Sequence, residues 1–92
     1  MLGCTGNFNG TYGLTADDEG SDLDSFDHKS LNECKRLCAV TAGCRSFSFI
    51  ASHRTFRNCN LKDKELTSSS TFVPNRMDYT TYYCVTDRKI IK

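Results

Sequence analysis

The chain has no tryptophan and only one proline, and 38% of its 92 residues are hydrophobic. It has no run of about 18 apolar residues, so the sequence predicts no membrane-spanning helix. A charged-then-apolar leader is also missing, and we expect Met1 to be an added start, with any leader or neighbouring domain outside these residues. A chain of this length buries only about 60–65% of its unfolded surface, so its small core should need covalent reinforcement.

Six cysteines can supply that reinforcement. An even number of cysteines in a short chain is typical of a disulfide framework, and it predicts a secreted or extracellular protein. The alternative is a structural zinc site, which needs closely paired cysteines or a cysteine–histidine set. The sequence has no Cys-x-x-Cys pair, and His28 and His53 are not spaced as ligands. We therefore predict disulfides, no metal site and no cofactor.

Charge is unevenly distributed along the chain, although the net charge is only +1. Residues 1–33 carry seven acids and one base (net −6), whereas residues 34–92 carry eleven bases and four acids (net +7). Many of the acids lie at 17–25, which raises the question of calcium. An EF-hand loop requires a glutamate at its twelfth position, and counting from Asp18 that position is Lys29. We therefore interpret 17–25 as a solvated acidic turn.

The segment 30–42 has the clearest helix pattern. Ser30, followed three residues later by Glu33, is a capping box, in which each residue satisfies a backbone N–H group at the start of the helix. Apolar residues then recur at spacings of three and four, which places Cys34 and Cys38 on one buried face. A glycine just beyond the segment is a natural stop.

Several other segments alternate as β-strands do. Phe8 and Tyr12 fall on one side of a short predicted strand. Phenylalanines alternate with serines at 46–49, which predicts a strand that is buried on one face only. The predicted strands lie within 4–16, 44–51, 58–62, 71–73 and 78–86, and a hairpin spans 45–63 around a basic loop at 52–57.

Six cysteines allow fifteen pairings, and the predicted elements reduce that number. A bond between Cys34 and Cys38 would close one helical turn and connect nothing distant. Cys38 lies near the helix end and Cys44 begins the next strand, so a Cα separation under about 7 Å is easily reached. Cys34 can then reach the return strand. The favoured arrangement is the nested set Cys4–Cys84, Cys34–Cys59 and Cys38–Cys44.

These features resemble those of a known family, the PAN/apple modules. The shared features are a cysteine-bearing helix, a third cysteine followed by a small residue and aromatics, and a Cys-x-Leu sequence after a hairpin. The residues that carry the resemblance are Ser30-Leu31-Asn32-Glu33-Cys34, Cys38, Cys44, Ser46-Phe47-Ser48-Phe49 and Cys59-Asn60-Leu61. Cys4 and Cys84 match the extra outer bridge of the apple subtype.

The resemblance implies a small, disulfide-rich α+β fold. In this fold a curled antiparallel sheet of about five strands cradles one helix, here at about 30–42. The resemblance also implies the same nested cysteine pairing. We expect a single module at 1–87 and a tail or linker at 88–92.

The resemblance also implies a class of function. PAN/apple modules occur in plasma proteases, plasminogen and hepatocyte growth factor, apicomplexan adhesins and nematode matrix proteins, where they bind proteins or carbohydrates without catalysis. The residues agree, because all six cysteines are assigned to bridges and no nucleophile elbow is present. A hydrolytic set built on Ser52 and His53 would be a chance arrangement. We predict a non-catalytic binding module of a secreted or surface protein, with no nucleic acid partner.

A basic surface is the first candidate site. Arginine and lysine recognise sulfate and carboxylate groups, and the growth-factor relatives that the chain resembles bind heparin through basic residues. The candidate residues are Lys35, Arg36, Arg54, Arg57, Lys62 and Lys64. They predict an extracellular protein or glycan partner, including a sulfated glycosaminoglycan.

A sugar site is the second candidate. Such a site needs an aromatic platform beside polar groups in a shallow pocket. The candidate residues are Asn75, Arg76, Tyr79, Tyr82 and Tyr83. Tyr82 and Tyr83 point to opposite faces of a strand, so we expect at least one ring to be exposed. This set predicts a lectin-like adhesin that binds neutral sugars.

A third interpretation needs no pocket. The opposed charges of residues 1–33 and 34–92 favour head-to-tail contacts between copies, as in a weakly self-associating module of an extracellular matrix protein. Separately, Asn9-Gly10-Thr11 is an N-glycosylation sequon. It predicts a glycan at Asn9 and agrees with a secreted origin.

Overall fold

The computed structural model describes residues 3–51, 56–76 and 78–85. Most of the predicted basic loop at 52–57 lies outside these residues, as do the predicted module end at 87 and the tail at 88–92. The described residues form β1 (Asn7–Gly10), β2 (Leu14–Ala16), β3 (Asp22–Phe26), α1 (Leu31–Val40), β4 (Ser46–Phe49), β5 (Cys59–Lys62), β6 (Phe72–Pro74) and β7 (Thr80–Val85).

The main sheet is antiparallel and has five strands in the order β1-β7-β4-β5-β3, while β2 and β6 form a separate two-stranded sheet. Strand β4 is central, and its Phe47 lies opposite Tyr82 of β7 on one side and Leu61 of β5 on the other. The helix and the five-stranded sheet confirm the predicted α+β architecture. The predicted pairing of β4 with β5 is also present.

Helix α1 begins at Leu31 because the residues around its start satisfy the first free N–H groups. The Ser30 hydroxyl accepts a hydrogen bond from the Glu33 N–H at 3.1 Å, and the Glu33 carboxylate accepts one from the Ser30 N–H at 2.8 Å. The latter hydrogen bond lowers the pKa of Glu33. The capping box is therefore confirmed. The helix ends at Val40, short of the predicted end at 42.

The larger core lies between α1 and one face of the main sheet. Phe47 and Leu61 are 0% exposed there. The ring of Phe47 contacts those of Phe8 and Tyr82, with centroid separations of 5.1 and 5.2 Å. Because a helix of 10 residues is marginal in isolation, its position depends on this core and on cross-links.

Three disulfides connect these layers. Cys34–Cys59 joins α1 to β5, Cys38–Cys44 joins α1 to the segment before β4, and Cys4–Cys84 joins the segment before β1 to β7. The Cα–Cα distances are 5.8, 5.2 and 5.7 Å, respectively, which are ordinary separations for a disulfide. These are the pairs that the sequence predicts.

The opposite face of the main sheet is also covered, contrary to the prediction for β4. Ser46 and Ser48 are only 1% and 5% exposed, so the prediction of a half-buried strand is wrong. The chain after β5 lies over this face, and the Ser46 hydroxyl donates to the Lys64 carbonyl at 2.9 Å. The two-stranded sheet covers the adjoining part, where Tyr83 stacks on Phe72 with a centroid separation of 5.8 Å.

The segment 4–16 contains two strands rather than one. The chain turns between β1 and β2 at Tyr12 and Gly13, which both have positive φ. Tyr12 is 95% exposed, whereas Phe8 packs against the core. The prediction that these two rings share one side of a strand is therefore wrong.

The acidic segment 17–25 is not only a turn. Its second half belongs to β3, which pairs with β5 at the edge of the main sheet. Aspartate is depleted in strands, so the local sequence favoured a turn. Acidic side chains such as Asp22 and Asp24 are suited to an edge, because they discourage pairing with other chains.

Gly3 occupies a position where no side chain fits. Its N–H donates to the Ala39 carbonyl at 3.1 Å, and a Cβ there would lie 2.0 Å from the Cys38 carbonyl oxygen and 2.4 Å from that of Thr41. We expect Gly3→Ala to lower the free energy of unfolding by about 2–3 kcal/mol, because the backbone at the end of α1 must move.

Gly13→Ala is the control for this prediction. A Cβ at Gly13 meets nothing within 4 Å, so the substitution strains only a backbone with positive φ, at about 1–2 kcal/mol. Urea denaturation measures both variants. A smaller loss for Gly3→Ala than for Gly13→Ala would contradict the proposed clash.

The two disulfides of α1 restrain different lengths of chain. Cys34–Cys59 spans a sequence separation of 25 residues, and Cys38–Cys44 spans 6. In the chain-entropy model the longer loop contributes about 1 kcal/mol more. We expect Cys34→Ala/Cys59→Ala to lose at least that much more stability than Cys38→Ala/Cys44→Ala in urea denaturation, with the remaining bridges checked by peptide mapping. The reverse order would show that loop length does not govern these bridges.

Candidate binding cleft

A polar cleft lies on the face of the main sheet that is turned away from α1. Its volume is about 380 Å³, within the range of about 300–1,000 Å³ that is usual for small-molecule sites. Hydroxyl, amide and charged side chains dominate its lining. The residues of this polar cleft are Thr15, Glu19, Ser48, Arg57, Asn60, Lys62, Asn75 and Tyr79.

Two larger depressions of about 560 and 430 Å³ flank α1. Each contains one residue of the predicted sites, Tyr82 in the first and Arg36 in the second. The polar cleft contains four such residues, two from each predicted set. It is therefore the strongest candidate despite its smaller volume.

Strand alternation positions the floor of the cleft. Ser48 of β4 and Asn60 of β5 are direct partners, so their side chains point to the same face. Their neighbours Phe47 and Leu61 point to the α1 side and fill the core. Lys62 follows Asn60 by two positions and therefore points into the cleft as well.

Asn75 and Tyr79, which lie between β6 and β7, form one wall of the cleft. The Asn75 side-chain amide donates to the Tyr79 carbonyl at 2.8 Å and to the Gly13 carbonyl at 3.0 Å, and its side-chain oxygen accepts from the Tyr79 N–H at 2.9 Å. The Tyr79 hydroxyl donates to the Arg57 carbonyl at 3.0 Å. These hydrogen bonds fix the Tyr79 ring beside the cleft.

Two nearly buried hydroxyl groups open into the cleft. Thr15 and Ser48 are 7% and 5% exposed, and neither side-chain hydroxyl forms a hydrogen bond with another described residue. Within the described ranges, no fully buried side-chain oxygen or nitrogen lacks a partner, so both hydroxyls retain access to the cleft. Each can donate and accept hydrogen bonds to a polar ligand.

An acidic arm, residues 17–22, runs beside the cleft. Lys62 Nζ lies 3.0 Å from the Glu19 carboxylate and also contacts the Asp22 carboxylate. Lys64 Nζ lies 3.0 Å from the Asp18 carboxylate. Lys62 and Lys64 therefore both form ion pairs with acids of the acidic arm.

These pairs change the ionisation of their members. Burial alone would lower the pKa of Lys62, but hydrogen bonds and charges from Asp22 and Glu19 raise it above its ordinary value. The hydrogen bond from Lys64 lowers the pKa of Asp18. Lys62 and Asp18 are therefore charged at neutral pH.

The predicted basic set does not form one surface. Three members lie at or beside the polar cleft, namely Arg57, Lys62 and Lys64. Lys35 and Arg36 lie on α1, which packs on the opposite face of the main sheet. Arg54 lies outside the described residues. Lys35 Nζ lies 6.0 Å from the centre of the Tyr82 ring. A role of this set in ligand binding stays a prediction.

The predicted sugar set is also divided. Asn75 and Tyr79 line the cleft, and Arg76 is exposed next to them. Tyr82 packs in the core beneath α1, and Tyr83 is 7% exposed beneath the two-stranded sheet. The two rings point to opposite faces. Tyr83 is buried, whereas Tyr82 is only partly buried, because its ring packs against the core and also lines the depression of about 560 Å³ beside α1.

Four residues of the cleft were not selected from the sequence: Thr15, Glu19, Ser48 and Asn60. They meet only because β2, the acidic arm, β4 and β5 converge on one face, so no local motif marks them. The single local signal is the alternation in β4, where small polar residues stand opposite the phenylalanines. The sequon residue Asn9 is exposed on the edge strand β1, and its glycosylation stays a prediction.

The family model described as PAN domain matches residues 7–85, a span that includes every described strand and helix. No curated protein and no solved structure shows significant similarity to the chain. In the described part of the chain, no helix is long and apolar enough to cross a membrane. The same residues contain no group of three or more His, Cys, Asp or Glu side chains that could hold a metal ion.

The Asp18–Lys64 pair should be visible in a pH titration. Because the hydrogen bond from Lys64 is the main cause of the lowered pKa of Asp18, we expect Lys64→Met to raise that pKa toward its ordinary value of 3.8. The pair stabilises the fold above the pKa of unfolded Asp18, and this contribution is lost as the pH falls through the lower pKa of the folded state. NMR of the side-chain carboxyl carbons measures the change.

Lys35→Met is the matched control, since Lys35 lies on α1 away from the acidic arm. It should leave the pKa of Asp18 unchanged. An unchanged pKa in Lys64→Met would show that the pair does not form in solution.

Proposed function

The chain belongs to the PAN domain family, and from this premise we propose that it is a non-catalytic binding module whose ligand site is the polar cleft. PAN domains are generally non-catalytic binding modules of extracellular proteins. A small fold with three disulfides is typical of that environment. The ligand that suits the cleft best is an uncharged or weakly charged saccharide of an extracellular glycan.

One observation carries the proposal. Two residues predicted for anion binding, Arg57 and Lys62, line the same cavity as two residues predicted for sugar binding, Asn75 and Tyr79. A bound pyranose ring needs several hydrogen-bonding groups and an apolar or aromatic surface in a shallow site. The cleft supplies the Tyr79 ring and several hydroxyl and amide groups around it.

The charge balance of the cleft favours a saccharide over a sulfated polymer. Lys62 is paired with Glu19 and Asp22, and only 13% of its side chain is exposed. Arg57 also lines the cleft and forms no ion pair with another described residue. A polyanion is attracted by several unpaired cations on one surface, whereas this cleft offers one. A single carboxylate on a sugar could still pair with Arg57.

A protein partner is the second candidate, and one observation favours it. Phe56 is 66% exposed, and the Arg57 guanidinium carbon lies 5.4 Å from the centre of its ring. Aromatic residues and arginine are enriched in protein interfaces and their hot spots. A protein docked over this pair would contact the rim of the polar cleft.

A glycan array with neutral, sialylated and sulfated glycans tests the proposal with the oxidised domain, and calorimetry on the strongest neutral ligand follows. We expect binding to neutral glycans. Ser48→Ala should weaken it about tenfold, because one hydrogen bond to the ligand, worth about 1–1.5 kcal/mol, is lost. Ser46→Ala is the matched control, since its hydroxyl lies on the same face of β4 but donates to the Lys64 carbonyl.

The other outcomes separate the alternatives. Unchanged affinity in both Ser48→Ala and Arg57→Gln would contradict the assignment of the cleft. Binding limited to sulfated glycans and lost in Lys35→Gln/Arg36→Gln would move the site to α1. Absence of glycan binding, with a protein partner released by Phe56→Ala, would replace the saccharide by a protein.

A further inference from the structure

The acidic arm is held in place by hydrogen bonds that do not depend on the lysines. The Asp17 N–H donates to the Thr71 carbonyl at 2.9 Å. The Ser21 N–H donates to the Asp63 carboxylate at 2.8 Å, and the Asp63 N–H donates to the Ser21 carbonyl at 3.1 Å. The arm is therefore anchored at both ends, and its carboxylates are presented from a fixed backbone.

Gly20 brings the arm close to the chain that follows β5. It has a φ of +73°, and a Cβ there would lie 2.5 Å from the Asp63 carboxylate and 2.9 Å from the Lys64 Cβ. Only glycine combines this conformation with so close an approach. The close approach places the acids of the arm within reach of Lys62 and Lys64.

Three carboxylates of the arm form ion pairs with two lysine ammonium groups. Asp18 pairs with Lys64, while Glu19 and Asp22 share Lys62. Surface ion pairs contribute little to the stability of a fold, so stability alone is a weak reason for this arrangement. The pairs have a larger effect on recognition, because carboxylates here take the positions that sulfate or carboxylate groups of a ligand would need.

We propose that the acidic arm is a specificity element, which occupies Lys62 and Lys64 and thereby excludes sulfated and other polyanionic glycans from the polar cleft. Specificity of this kind comes from a repulsive element built against the wrong ligand. Glu19 and Asp22 both lie against Lys62, although one carboxylate would be enough to neutralise it. The second carboxylate leaves a net negative charge at this position, which repels a polyanion. The inference rests on the proposed function for the position of the cleft.

Heparin chromatography of the oxidised domain tests the inference, since heparin is a polyanionic glycan of defined charge. The arm variant is Asp18→Asn/Glu19→Gln/Asp22→Asn, which keeps the side-chain shapes and frees both lysines. We expect the unmodified domain to elute below about 0.15 M salt and the arm variant to bind heparin about tenfold or more tightly at low salt.

The matched control replaces three acids outside the arm, as Asp24→Asn/Glu65→Gln/Asp78→Asn. These acids are exposed, form no ion pair with another described residue, and change the net charge by the same amount. We expect the control to gain much less affinity than the arm variant. Adding Lys62→Gln/Lys64→Gln to the arm variant should remove the gain.

Three results would overturn the inference. They are an equal gain in the control, a gain that survives loss of the two lysines, and firm retention of the unmodified domain above about 0.15 M salt. If the arm variant fails to fold, Asp18→Asn alone frees Lys64 and should give a smaller gain, and no gain there counts against the inference. The glycan array reports on the cleft separately, so failure of the arm and failure of the proposed function are distinguishable.

Discussion

The disulfide between Cys34 and Cys59 holds α1 against the main sheet, and much of the remaining structure follows from this cross-link. Asn58, which directly precedes Cys59 in the chain, is 0% exposed. Its side chain accepts a hydrogen bond from the Lys29 N–H at 2.9 Å and donates one to the Lys29 carbonyl at 2.8 Å. The residues before α1 are thus fixed beside β5 by a side chain adjacent to the bridge. A helix of 10 residues is too short to keep this position by propensity.

Because α1 covers only one face of the main sheet, the two faces carry different kinds of side chain. The large apolar side chains of β4 and β5 face the helix, where Phe47 and Leu61 are fully buried. Small and polar side chains are left for the other face, and Ser48, Asn60 and Lys62 form the floor of the polar cleft. The cleft is therefore a consequence of strand alternation in a sheet whose apolar side is already occupied.

The features that were predicted from sequence have signals close together in the chain. Ser30 and Glu33 are three residues apart, and Cys38 and Cys44 are separated by 6. The distant pair Cys4–Cys84 has no local signal and was predicted only because the other four cysteines already had partners. The features that were missed depend on contacts between distant segments. Strand β2 pairs with β6 across more than 50 residues, and β3 becomes a strand only because β5 offers a free edge. Selection by residue type alone does not distinguish the two faces of the sheet. Lys35 and Lys62 were therefore placed in the same predicted basic set, although they lie on opposite faces.

The same limitation applies to charge. The sequence divides into an acidic part of net −6 and a basic part of net +7, a pattern that favours contacts between copies of the chain. In the fold, part of this opposition is satisfied internally, because acids of the arm pair with Lys62 and Lys64. Fewer unpaired charges remain to drive head-to-tail association or polyanion binding. A charge pattern along a chain therefore predicts a partner only after the fold shows which charges already have one.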